Sequence, residues 1–237
     1  MHHQLTLFSR RPQAPSSLLT GLSLYYKLDE TSGTALDVLG AYDLTDNNTV
    51  TSGPGKVNTA RVFTAANSES LSRADAAVFQ IGTTSTTFAF WANFATLPVG
   101  GACLFSKTAV GDLSYWCDYD GTSRLRFIAT SDGATAHIAT ANNFGAPSAA
   151  TWYFIVCAYS AAGNTISIQV DEIAETATTH AGGIWPGAAS FKLGARLPDE
   201  YMNGSIDEFG MWARLLTTVE VTFLRNGGGG RTYPFTG

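Results

Sequence analysis

Charge is scarce in this chain. Only 14% of its 237 residues are Asp, Glu, Lys or Arg, and no basic run extends beyond Arg10-Arg11. A nucleic-acid face needs clustered positive charge to displace counterions, so no nucleic-acid partner is expected. Long apolar runs are also missing. Nothing approaches the roughly 20 apolar residues of a membrane-spanning helix, so no membrane insertion is expected. Paired His/Cys spacing is absent, which argues against zinc. The glycine run 227–230 follows a helix signal, whereas phosphate sites place glycines before a helix N-terminus.

Cysteine is sparse and odd in number. Cys103, Cys117 and Cys157 sit inside apolar strand-like runs. The plain reading is three buried thiols, with one Cys103–Cys117 or Cys117–Cys157 bridge left open. The opening MHHQLTLFSRRPQAPSSLLTG does not read as a secretory signal, because Arg10, Arg11, Pro12 and Pro15 interrupt any apolar core. Residues 1–20 read as an N-terminal arm, and residues 21–237 as one domain.

What is present is enough apolar residue, 45%, for a sizeable core, under a surface of Thr, Ser, Asn, Ala and Gly with a net charge of −5. Short segments of alternating polarity recur between turn signals. GLSLYYKL (21–28) alternates Leu22, Leu24, Tyr26 and Leu28 against Ser23, Tyr25 and Lys27. TTFAFWANF (86–94) sets Phe88, Phe90, Ala92 and Phe94 on one face. WYFIVCAYS (152–160) is apolar on both faces, as a central strand should be. About a dozen such segments predict an all-β, two-sheet antiparallel sandwich with a short C-terminal helix. That helix has a capping box at Thr217 and Glu220, a hydrophobic staple at Leu216 and Val221, and a stop at Asn226-Gly227. Its Val219/Phe223/Leu224 face is expected to cover one rim of the sandwich.

Taken together, LSLYYKLDETSGTALDVLGAYDLT, VNTARVFTAANSESLSR, FAFWANF, TWYFIVCAYS, FKLGAR and NGSIDEFGMWARLLTTVEVTFLRNGG resemble the LamG-like (laminin G type) concanavalin A-like jelly roll over about 200 residues. The ending, I-D-E-x-x-x-W-x-R-x-L-T followed by a short helix, is its most specific part. The resemblance implies a curved sheet over a flatter one, with the Ile-Asp-Glu strand beside the first strand. It also implies a glycan site and a structural Ca2+. For the ion, Asp29 and Asp207 are the candidates, since they approach each other if the first and last long strands pair. The alternative is turn-forming aspartates that bond nearby amides.

Glycan binding calls for exposed aromatics and planar polar groups. The candidates are Tyr115, Trp116, Tyr119, Arg126 and Trp185, with Arg124 nearby. Tyr115 and Trp116 are neighbours in a strand, so only one of them can line a groove. Catalysis is not expected. Glycoside hydrolysis needs two carboxyl groups in one cleft, and the Glu-x-Asp-x-x-Glu pattern is missing. Asp118 and Asp120 lack a third carboxylate, while Asp171-Glu172 and Asp207-Glu208 should point to opposite faces. The favoured expectation is a phage virion surface protein, for decoration or attachment, that contacts other virion or surface proteins through its arm. Cell-surface glycans and a homo-oligomer are compatible with it. The alternative is a carbohydrate-binding adhesion domain of a bacterial extracellular protein.

Overall fold

Period-two alternation commits most of the chain to strands. The computed structural model, which describes residues 16–196 and 198–235, stacks them as two antiparallel sheets. The first sheet runs Thr176–Thr179, Thr165–Val170, Trp152–Ser160, Thr86–Phe94, Gly204–Trp212, Thr59–Phe63, Thr51–Pro54, and Leu22–Tyr26 also pairs with Gly204–Trp212. The second runs Ala136–Thr140, Leu125–Thr130, Asp112–Tyr119, Ala102–Ala109, Phe191–Leu193, Ser70–Arg73, Thr45–Asn47. Trp152–Ser160 is indeed an interior strand. Between the sheets lies a core rich in phenylalanine, including Phe88, Phe90, Phe105, Phe127, Phe191 and Phe209. The three cysteines are buried free thiols.

The two outer faces differ. That of the first sheet is sealed by a second apolar cluster, in which Tyr25, Trp91 and Trp212 pack against Leu18, Leu224 and Phe235. The helix Thr218–Arg225 forms part of this seal, capped as expected by Thr217 and Glu220. Its buried arc centres on Glu220, Val221 and Leu224 with Phe223 at the margin, so Val219 stays 69% exposed and does not cover the rim as expected. Glu220 draws the helix round: its carboxylate accepts from Arg214 at 2.6 and 2.8 Å and from Ser17 Oγ at 2.6 Å. Residues 16–20 therefore dock on the domain, with Leu18 buried and its carbonyl accepting from Trp212 Nε1 at 2.8 Å. The rest of the expected arm, residues 1–15, lies outside the described residues.

A small element, Ala195–Arg196 paired with Glu200–Tyr201, lies against the outer face of the second sheet. It is fastened by Ser106 Oγ, which donates to the Ala195 carbonyl at 2.7 Å.

Candidate functional site

Strand parity sorts the candidate aromatics. In Asp112–Tyr119, residues 115, 117 and 119 face the core, and 116 and 118 face outward. Tyr115 and Tyr119 are therefore core residues, not glycan contacts: both lie in the main apolar cluster, and Tyr115 Oη donates to the Phe79 carbonyl. Trp116 is outward, in register with Ile128 on one side and Ser106 on the other. Arg126 stands opposite Asp118. Arg124 stays in the neighbouring turn, where Asp120 accepts three backbone N–H groups.

These outward residues form a charged network. Arg126 grips Asp118 with two bonds, Nε at 2.8 Å and Nη2 at 2.7 Å, and Trp116 Nε1 donates to the same carboxylate at 3.0 Å. Burial pushes the Asp118 carboxyl above its ordinary pKa despite the arginine bonds that oppose it. Arg196 stacks on the Trp116 ring at 4.8 Å and holds Glu200 with two bonds of its own. Trp116 is thus a roofed ring, only 6% exposed. Sequence patterning pointed to Trp116 and Arg126; it missed Arg196 and Glu200, which reach this face through the small Ala195–Tyr201 hairpin.

Trp185 is placed apart, beside Asp112 at the start of the strand that carries Trp116. Asp112 lies four positions before Trp116, roughly 13 Å along an extended chain. The indole is 38% exposed. Its Nε1 donates to Asp112 Oδ1 at 2.9 Å, and one side of the ring rests on Gly133. At Gly133 φ is +81°, and a Cβ there would sit 3.0 Å from the indole nitrogen, so glycine both makes the turn and seats the ring. The result is an aromatic platform fixed by its edge and its underside.

The carboxylates of Gly204–Trp212 behave differently from the sequence expectation. The strand bulges between Asp207 and Gly210, with Glu208 at φ +50°. Ile206 and Phe209 both face the core, so Asp207 and Glu208 share the opposite, outer side. The alternation rule fails because the bulge inserts one extra residue. Glu208 Oε2 accepts from Tyr25 Oη at 2.5 Å, and Asp207 Oδ2 accepts from Lys56 N–H and Val57 N–H at 2.7 and 2.9 Å. Burial first, then charge repulsion from neighbouring carboxylates, raises Asp207 to about 7 and Glu208 to about 8.

For a metal, Asp29 and Asp207 would need to converge. They instead grip one turn from two sides: Asp29 accepts from Thr59 N–H and Asn58 Nδ2, and Asp207 accepts from residues 56 and 57. Among the described residues no group of three or more His, Cys, Asp or Glu side chains is arranged to hold a metal ion. Ca2+ takes six to eight oxygens, so carbonyls and waters would have to complete a shell that Asp29 and Asp207 could only begin.

Elsewhere, a groove of about 370 Å³ lies on the first sheet beside the helix, lined by residues such as Ser167, Gln169, Glu175 and Leu216, with no aromatic ring in its wall. Among the described residues no helix is long and apolar enough to cross a membrane.

Known structures share this architecture. Domain 4 of AbnA, an extracellular arabinanase from Geobacillus stearothermophilus in complex with arabinotriose, superposes with a TM-score of 0.63 at 18% identity, covering 89% of this chain and 98% of that one. The binding domain of botulinum neurotoxin DC, in complex with rat synaptotagmin II, gives 0.67 at 12% identity, with 87% of this chain and 51% of that one covered. Trypanosoma rangeli sialidase gives 0.66 at 16% identity, with 92% and 34% covered. This chain therefore spans about half of the toxin domain and a third of the sialidase. At such identities the likeness shows the fold. No curated protein matches the chain. The family model of the concanavalin A-like lectin/glucanase superfamily matches residues 65–222, which include the Ile-Asp-Glu strand and the start of the closing helix, and the chain belongs to that family.

Proposed function

We propose that this chain is a non-catalytic glycan-binding module, with Trp185 as its stacking platform. The observation that carries this reading is the seating of that indole: partly exposed, its N–H held by Asp112, its underside on Gly133. Such a ring offers an apolar face to the C–H side of a sugar without first losing rotamer freedom. The arabinotriose complex of the structurally similar arabinanase domain supports the same use of the fold. The carboxylates support binding over hydrolysis. Asp118 and Glu200 are each committed to a guanidinium, and Asp207 and Glu208 are buried on the sealed side of the first sheet.

The test is calorimetric titration of the intact chain with arabinotriose and a panel of neutral trisaccharides, alongside Trp185→Ala. Millimolar or tighter binding, weakened tenfold or more by the substitution, is expected. No binding across the panel, or binding indifferent to Trp185, overturns the reading. As the setting we propose a phage virion surface, a reading supported by the weakly charged, Thr- and Ala-rich composition. Mass spectrometry of purified virions should find the chain; recovery only from a bacterial extracellular fraction would favour the adhesion-domain alternative.

A further inference from the structure

Lys192 is the odd member of the second sheet's outer face. Phe191 and Leu193 on either side of it point into the core, so Lys192 points outward. It lies in one cross-strand row with Ser106 and Trp116, two strands from the tryptophan and so roughly 10 Å away. Around it the charges are already matched, Arg126 with Asp118 and Arg196 with Glu200. Lys192 is half-buried, and among the described residues its Nζ has neither a hydrogen-bond partner nor an ion-pair partner. Burial lowers its pKa, as expected of an ammonium that has given up water without gaining an anion. Arg126 and Arg196 each use Nε and Nη2 for their carboxylates, which leaves both Nη1 groups without a partner among the described residues. Lys192 is therefore a cation without an anion on this face, in a chain whose net charge is −5.

We infer that this face selects acidic saccharides, with the Lys192 ammonium pairing the carboxylate of a uronic acid unit. The inference rests on the glycan-binding reading and names its ligand class. A neutral sugar would leave the ammonium unpaired under a bound ring. A uronate would supply the missing anion at Lys192. Specificity would then come from Lys192, and stacking from Trp185.

The discriminating probe pair is trigalacturonate and its fully methyl-esterified form, which share rings and linkages and differ in charge. At low salt the acid is expected to bind at least tenfold more tightly than the ester, and added salt should erode that preference. Lys192→Met and Lys192→Gln should remove the preference, while Trp185→Ala weakens both ligands alike. Near-ultraviolet circular dichroism checks that the variants stay folded; the methionine keeps the stem packed if glutamine does not. Equal affinity for acid and ester, or a preference that survives both substitutions, overturns the inference and leaves the glycan-binding reading intact. Binding of neither probe, together with failure of the neutral panel, overturns both.

Discussion

At the scale of single residues, the carboxyl pair at Asp207 and Glu208 makes the strongest demand. Asp207 Oδ1 and Glu208 Oε1 are buried without a partner, so a proton is the natural way to neutralise them. Their folded values of about 7 and about 8 lie above the roughly 4 expected of the unfolded chain. The folded state then holds more protons across that interval, and stability falls as pH rises from about 4 to about 8. Glu220 works the other way. Burial alone would raise it, but bonds from Arg214, Ser17 and Thr217 outweigh burial and hold it at about 2. Its contribution is lost as pH falls below about 4. Thermal unfolding from about pH 3 to 9 should therefore peak near pH 4 and decline toward pH 8, with Glu208→Gln flattening the decline. A wild-type midpoint that holds steady or climbs between pH 5 and 8 would contradict these protonation states. Parity made Trp116 and Tyr115 separable in advance, as two neighbours on opposite faces. The same parity misled at Asp207-Glu208, because nothing in I-D-E-F announces a residue at positive φ.

At the scale of elements, the closing helix shows which interactions the sequence displays and which it hides. T-x-x-E displays the capping box, since both partners are three residues apart. It hides Arg214, whose Nη2 also donates to the Ser17 carbonyl, 197 residues away in the chain. It hides the docking of the C-terminal end as well, where Arg225 pairs with Glu172 at 2.9 Å. The orientation of the helix follows from these hidden contacts, which is why Val219 faces outward. Thr217→Ala removes one cap acceptor and should cost about 1 kcal/mol. Glu220→Ala also strips Arg214 and Ser17 of their shared carboxylate, so its cost should clearly exceed that of Thr217→Ala. Urea midpoints at constant m-value measure both; equal losses would mean that the cap alone matters. The strands were more legible than the helix contacts because alternation is local. The Ala195–Tyr201 hairpin was not legible, since Gly194 breaks the FKLGAR pattern and carries Arg196 out of the sheet and onto Trp116.

At the scale of the whole molecule, the two outer faces divide the labour. Both ends of the described chain close on the first sheet: Leu18 from one end and Phe235 from the other bury themselves in the cluster around Tyr25 and Trp212. Gly210 makes room there, since a Cβ would lie 2.5 Å from the Trp212 ring and 2.8 Å from Tyr25. Phe235 meets Tyr25 edge-on with ring centroids 5.2 Å apart. The second sheet is left to carry Trp116, Lys192 and, at its rim, Trp185. Leu18→Ala should cost about 2–5 kcal/mol and Phe235→Ala about 3–5 kcal/mol if the sites relax little. Because both side chains pack on the same tryptophan cluster, the double variant should depart from additivity by at least about 0.5 kcal/mol. Saccharide affinity, measured where each variant remains folded, should not change, because the ligand face is on the other sheet. Additive losses would show that the two ends are anchored independently, and altered affinity would show that the seal and the binding face communicate through the core.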